Sequence, residues 1–136
     1  MSCVEQQALL YQLPDGRFQI VDKGALAPMM TGHEYVLVEE DFAGYLRSLN
    51  LPQLKVVAAV IYDPRQNREI RTHEQLLIGE RFSWDPAFEC DLDGERILLM
   101  EGTYVFVSPT LKERLESSPF QYLRFSEGMR GFAGGP

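Results

Sequence analysis

Apolar residues in this chain come in short runs that turn-forming residues keep interrupting, a rhythm that predicts many short strands and few helices. ALLYQL, PDG and RFQIV form an opening hairpin pattern, because Asp15-Gly16 tolerates the positive φ of a tight turn. Residues 23–33, KGALAPMMTGH, hold two Gly and one Pro and read as a loop. YVLV then reads as a strand, and DFAGYLRSL (41–49) as a short helix capped by Asp41. The stretch LPQLKVVAAVIY is too continuously apolar for a half-exposed strand and is expected at the centre of a sheet. Asp63-Pro64 opens a turn from which REIRT returns antiparallel, and THEQLLIG fits a strand or a helix.

The second half repeats this grammar. Residues 80–95, ERFSWDPAFECDLDGE, are irregular, and Asp93-Gly94 turns the chain into the strand RILLM. Gly102 separates RILLM from YVFV. A helix is predicted over 109–117. With Ser108 as its cap, Pro109 takes the first helical position, where a missing N–H costs nothing. With Thr110 as the cap, Glu113 completes a capping box instead. A second Ser-Pro at 118–119 leads into the apolar stretch FQYLRF.

Residues 35–48 and 104–117 align without a gap when Tyr35 is set on Tyr104. Val36, Val38, Leu46 and Ser48 then meet Val105, Val107, Leu115 and Ser117. A duplicated strand–helix–strand unit explains the match, and so does convergence of two units of one type. The fold expected is a single α+β domain over residues 1–127. It has a mainly antiparallel or mixed sheet of six to eight strands and two short helices, followed by a flexible Gly-rich tail at 128–136.

A chain of 136 residues suits one domain. Its net charge of −7 disfavours nucleic acid, whose phosphates call for a basic face, and permits a basic protein partner. Cys3 and Cys90 make no C-x-x-C pair, so neither a disulfide framework nor a zinc site is expected. No apolar run approaches the ~20 residues that cross a bilayer, and the first residues lack a signal-peptide pattern. A cytoplasmic location, away from the membrane, is the expectation. No motif specifies an oligomeric state.

Enzyme chemistry finds few footholds. His33 and His73 are each followed by Glu, but four positions on stand Leu37 and Leu77, so H-E-x-x-H is incomplete in both. Either histidine remains a candidate general base for a small enzyme of another type. Glu89, Asp91, Asp93 and Gly94 match positions 1, 3, 5 and 6 of a calcium loop. Position 12 is Met100 where a bidentate Glu is required, and an Asp-rich hairpin turn explains the same residues. Phosphate-binding glycine motifs and the G-x-S-x-G elbow are absent from the sequence. No cofactor and no metal are expected.

Surface composition offers a different candidate. From Asp85 to Glu101 run six acids and one base, a local charge of −5. Phe82, Trp84 and Phe88 stand beside Asp85, Glu89, Asp91, Asp93 and Glu95, a composition that suits an interface with an aromatic centre and a charged rim. The competing reading puts the aromatics in the core and leaves the acids to solvate a loop.

Phe106, Val107, Ser108, Leu111, Leu115 and Phe125 form a strand, a Ser-started Leu-bearing helix and a closing aromatic strand. This ending resembles the C-terminal end of an immunity-protein family of bacterial polymorphic-toxin systems. The resemblance covers about twenty residues. It implies a small cytoplasmic protein that binds and blocks a cognate toxin, with no catalytic residues. An enzyme using His33 or His73, and an adaptor or structural domain, are the alternatives.

Overall fold

The computed structural model describes residues 2–4, 10–21, 26–32, 34–82 and 93–127. The tail 128–136 lies outside them, as do His33 and the segment 83–92. The protein is α+β, with thirteen short strands and two helices among the described residues. That exceeds the six to eight strands expected, because the apolar run 51–62 breaks into two strands and Ser2–Val4, Met29–Gly32 and Arg81–Phe82 add strands where none was expected. The contacts fall into two compact units, one over residues 6–50 and 55–77, the other over 1–5, 51–54 and 78–136.

The first unit holds two four-stranded sheets. In one, β2 (Leu10–Gln12), β3 (Phe18–Ile20), β7 (Ile61–Asp63) and β8 (Arg68–Ile70) lie in that order. The predicted Asp-Gly hairpin joins β2 to β3, with Gly16 at φ 94°. The pair β3–β7 is parallel, while β7–β8 is the antiparallel hairpin that follows Asp63-Pro64. Leu10, Phe18 and Ile61 turn to a core shared with Met30, Tyr35, Leu37 and Ala59. Tyr35 is 3% exposed, and its ring sits 5.0 Å from Phe18. Its hydroxyl donates to the Leu10 carbonyl at 2.8 Å, so the buried O–H is satisfied. Gly32 is required beside it: a Cβ there would collide with the Tyr35 ring.

The other sheet runs β4 (Met29–Gly32), β5 (Tyr35–Glu39), β9 (His73–Ile78), β6 (Leu54–Ala58). Three expectations are corrected here. Residues 29–32, read as loop, are a strand, because Met29 to Gly32 pair antiparallel with Val38 to Tyr35. The apolar stretch 51–62 is not one central strand: it breaks at Ala59-Val60 into β6, at a sheet edge with Val57 and Ala58 exposed, and β7, which does lie inside its sheet, between β3 and β8. The helix α1 (Glu40–Ser48) has Glu39 rather than Asp41 at its N-cap position, with no side-chain cap bond, and Asp41 accepts the Phe42 N–H at 2.8 Å from within the first turn. Phe42, Ala43 and Leu46 form its buried stripe.

The second unit has one five-stranded sheet. Its order is β10 (Arg81–Phe82), β11 (Ile97–Met100), β12 (Tyr104–Val107), β1 (Ser2–Val4), β13 (Phe125–Glu127). Gly94 (φ 78°) turns the chain toward β11, and Glu101 (φ 55°) with Gly102 (φ 69°) turns β11 into β12. Helix α2 (Pro109–Glu116) follows β12, capped by Ser108 with Pro109 at its start, the first of the two predicted arrangements. Leu111 and Leu115, one turn apart, are 0% and 2% exposed.

Each unit thus contains a hairpin, a helix and a strand, with one further strand inserted before the last. The order β4-β5-β9-β6 corresponds to β11-β12-β1-β13. Leu37 and Val38 face Gln75 and Glu74, and their counterparts Phe106 and Val107 face Cys3 and Ser2. Both β9 and β1 run antiparallel to the strand that precedes the helix, a likeness that duplication and convergence explain equally.

Candidate functional site

Of the predicted binding residues, the structure describes Phe82, Asp93 and Glu95. Trp84, Asp85, Phe88, Glu89 and Asp91 lie outside the described residues. Phe82 is half-buried. Its ring meets Phe106 edge-on at 5.3 Å and packs on the cluster of Cys3, Leu98, Met100 and Phe106. That aromatic serves the core of its unit. Asp93 is exposed and Glu95 half-buried, on the turn that leads into β11.

One buried hydroxyl holds that turn. Ser108, 0% exposed, donates to the Gly94 carbonyl at 2.8 Å and accepts the Arg96 N–H at 2.9 Å. It also accepts the Leu111 N–H as helix cap, and its own N–H donates to the Arg96 carbonyl at 3.0 Å. The start of α2 and the acidic turn are therefore one hydrogen-bonded assembly. Two ion pairs reinforce it. Arg96 Nε donates to both Glu80 oxygens at 3.2 and 3.0 Å, with side chains only 23% and 13% exposed. Arg114 of α2 pairs with Glu95. Partial burial strengthens such pairs and makes removal of one partner costly. Glu80 and Arg114 carry opposite charges, so together they add no net charge beside the turn.

These braces are invisible to local sequence reading. Glu80 and Arg96 are 16 positions apart and meet through the parallel pairing of β10 with β11, whereas Glu95 and Arg114, 19 apart, meet through the pairing of β11 with β12 and the helix that follows. The capping pattern at Ser108 was legible; its second task, carrying the 93–96 turn, depends on tertiary structure.

His73 is 4% exposed with both ring nitrogens bonded. Nε2 lies 2.8 Å from the Ala27 carbonyl, which only accepts, so Nε2 carries the proton. Nδ1 lies 2.8 Å from the Thr72 hydroxyl and is hydrogen-bonded to it. A ring so committed offers no nitrogen to a substrate and pins residues 26–28 to β9. Among the described residues no three His, Cys, Asp or Glu side chains cluster as metal ligands. Met100, at the last position of the calcium-loop pattern, is a buried strand residue. No described helix is long and apolar enough to cross a membrane. Compared with models of known families, with curated proteins and with solved structures, the chain matches none.

Proposed function

We propose that the protein is an immunity-type inhibitor that binds and occludes a cognate toxin through the acidic face around residues 82–95. The observation that carries this reading is the bracing of the acidic turn. Asp93 and Glu95 stand on a turn held by Ser108, and Arg114 pairs with Glu95, so the exposed Asp93 sits on backbone that needs little further ordering on binding. A local charge of −5 attracts a basic cleft, such as one that holds nucleic acid or nucleotide. Of the residues that carry the resemblance to immunity proteins, Ser108 and Leu111 take part in this assembly, while Phe106 and Val107 lie on β12, Leu115 on α2 and Phe125 on β13.

The enzyme alternative rests on His33 or His73, and the buried, doubly bonded ring of His73 argues against the second. An adaptor would share the binding face but leave its partner active. Capture of the partner from the native cell, followed by an activity assay on it, separates these readings. Rim carboxylates act chiefly on association, so changing Asp91 and Asp93 together to Asn lowers the association rate and flattens its salt dependence. Trp84→Ala, checked first for an intact melting curve, raises the dissociation rate. If both variants fold and bind as the wild type does, the face is wrong.

A further inference from the structure

Between α2 and β13 runs an open groove of about 280 Å³. Ligand pockets for whole small molecules start near roughly 300 Å³, so this one suits a single side chain and its carboxyl group better than a cofactor. Leu115 and Leu123 form its buried floor, while Phe120 and Phe125 are half-buried at its sides. Lys112 and Arg124 stand on its walls.

Arg124 is preset. Its Nη1 donates to the Gln121 and Leu123 carbonyls at 2.7 and 3.0 Å, which fixes the guanidinium. The Nε and Nη2 edge, the fork that binds a carboxylate through two parallel bonds, has no partner among the described residues. Lys112 likewise forms no ion pair among them. The apolar sides sit next to this fork. β13 ends its sheet among the described residues, paired only with β1, so no described strand covers its outer edge.

From this combination we infer that the groove binds the free C-terminus of an extended peptide whose last residue is apolar or aromatic. The terminal carboxylate lies on the Arg124 fork, with Lys112 adding charge. The last side chain rests against Phe120 and Phe125, and the peptide backbone adds to the β13 edge. Glu116, also on the wall, offsets one of the two cationic side chains, so the groove's charged lining is suited to a single carboxylate. The chain's net charge of −7 opposes an anion from afar, but that field is screened beyond about 10 Å while the fork acts at contact. The groove shares no residue with the acidic turn, so the failure of either proposal leaves the other standing.

The probes are an acetylated pentapeptide, Gly-Ser-Gly-Ser-Phe, with a free C-terminal carboxylate, the same peptide amidated, and inorganic phosphate. Each is titrated into the full chain and followed by backbone amide NMR. The free acid shifts the amides of residues 120–127, and amidation weakens binding at least about tenfold, the loss expected when a charge-assisted pair is removed. Arg124→Gln weakens the free acid by a similar factor. Lys112→Gln, which leaves the Arg124 anchors intact, weakens it by a smaller one. Equal binding of the amidated peptide overturns the inference, as do shifts centred elsewhere and no shifts at about 1 mM peptide. Phosphate binding as tightly as the peptide also overturns it, by reducing the site to a general anion contact.

Discussion

At the scale of single residues, the first unit depends on one phenol. Tyr35 brings a hydroxyl into a core of Leu10, Phe18, Met30 and Leu37, and a single bond to the Leu10 carbonyl makes that tolerable. Burial raises its pKa above the ordinary value of 10.0. The folded state therefore holds the proton when the unfolded chain has begun to lose it. Stability from this group is complete below pH ~10 and falls as the pH rises from there through the higher folded value. Tyr35→Phe keeps the ring and deletes the titration. It should cost ~0.5–1.5 kcal/mol at neutral pH for the lost hydrogen bond, and its urea midpoint should decline less than the wild type's between neutral and strongly alkaline pH. Parallel declines would show that the hydroxyl is not held as described. Asp15 carries the opposite signature on the surface. The Arg17 backbone N–H holds its carboxyl below 3.8, so the turn it braces loosens only as the pH falls toward that lower value.

At the scale of elements, helix α2 shows what can be read from sequence and what cannot. Ser108, Pro109 and the Leu111–Leu115 spacing specify its start and its buried face through local pattern alone. Leu115→Ala should cost ~2–5 kcal/mol in equilibrium unfolding, the range for emptying a buried Leu site; a loss below about half a kcal/mol would mean the helix is not packed on its sheet. Ser108→Ala should exceed the ~1 kcal/mol typical of a lost cap. It also strips the Gly94 carbonyl and the Arg96 N–H of their partner, and the 93–96 turn should lose amide protection along with the helix start. The opening hairpin, β5, β12 and both helices were legible because their signals are local: an Asp-Gly turn, a cap, a run of β-branched and aromatic residues. β4 and β6 were misread for a different reason. Met29–Gly32 is a strand only because β5 pairs with it, and LKVVA occupies an edge although its composition suits a centre. Strand position is decided by partners distant in sequence, and composition reports hydrophobicity without naming the neighbour. The candidate site divides the same way. Its cap at Ser108 was legible, whereas the ion pairs Glu80–Arg96 and Glu95–Arg114 arise only when the chain is folded.

At the scale of the whole molecule, the two units solve one topological problem with different pieces of chain. Each needs a strand between its hairpin and its last strand. In the first, β9 arrives after β6 by way of the β7–β8 hairpin; in the second, that place is taken by β1, from the other end of the sequence. β1 is only three residues long, yet it pairs on both sides, with β12 through Ser2 and Cys3 and with β13 through Ser2, Cys3 and Val4. Cys3 and Val4 are 4% and 3% exposed. Removing it therefore exposes two strand edges and opens a gap beside Phe106, instead of trimming a margin. A chain lacking residues 1–5 should lose hydrogen-exchange protection across β12 and β11, at Val105, Val107 and Leu99, and across β13, more than at Leu37 and Val38 of the first unit. Val4→Asp should act in the same direction, because it buries an unpaired charge on the same strand. The peptide groove between α2 and β13 should fail with the deletion too, since β13 is held to its sheet through β1 alone among the described strands. If exchange at Val105 and Val107 stays as slow as in the intact chain, β1 is dispensable. The correspondence with β9 would then carry no structural weight.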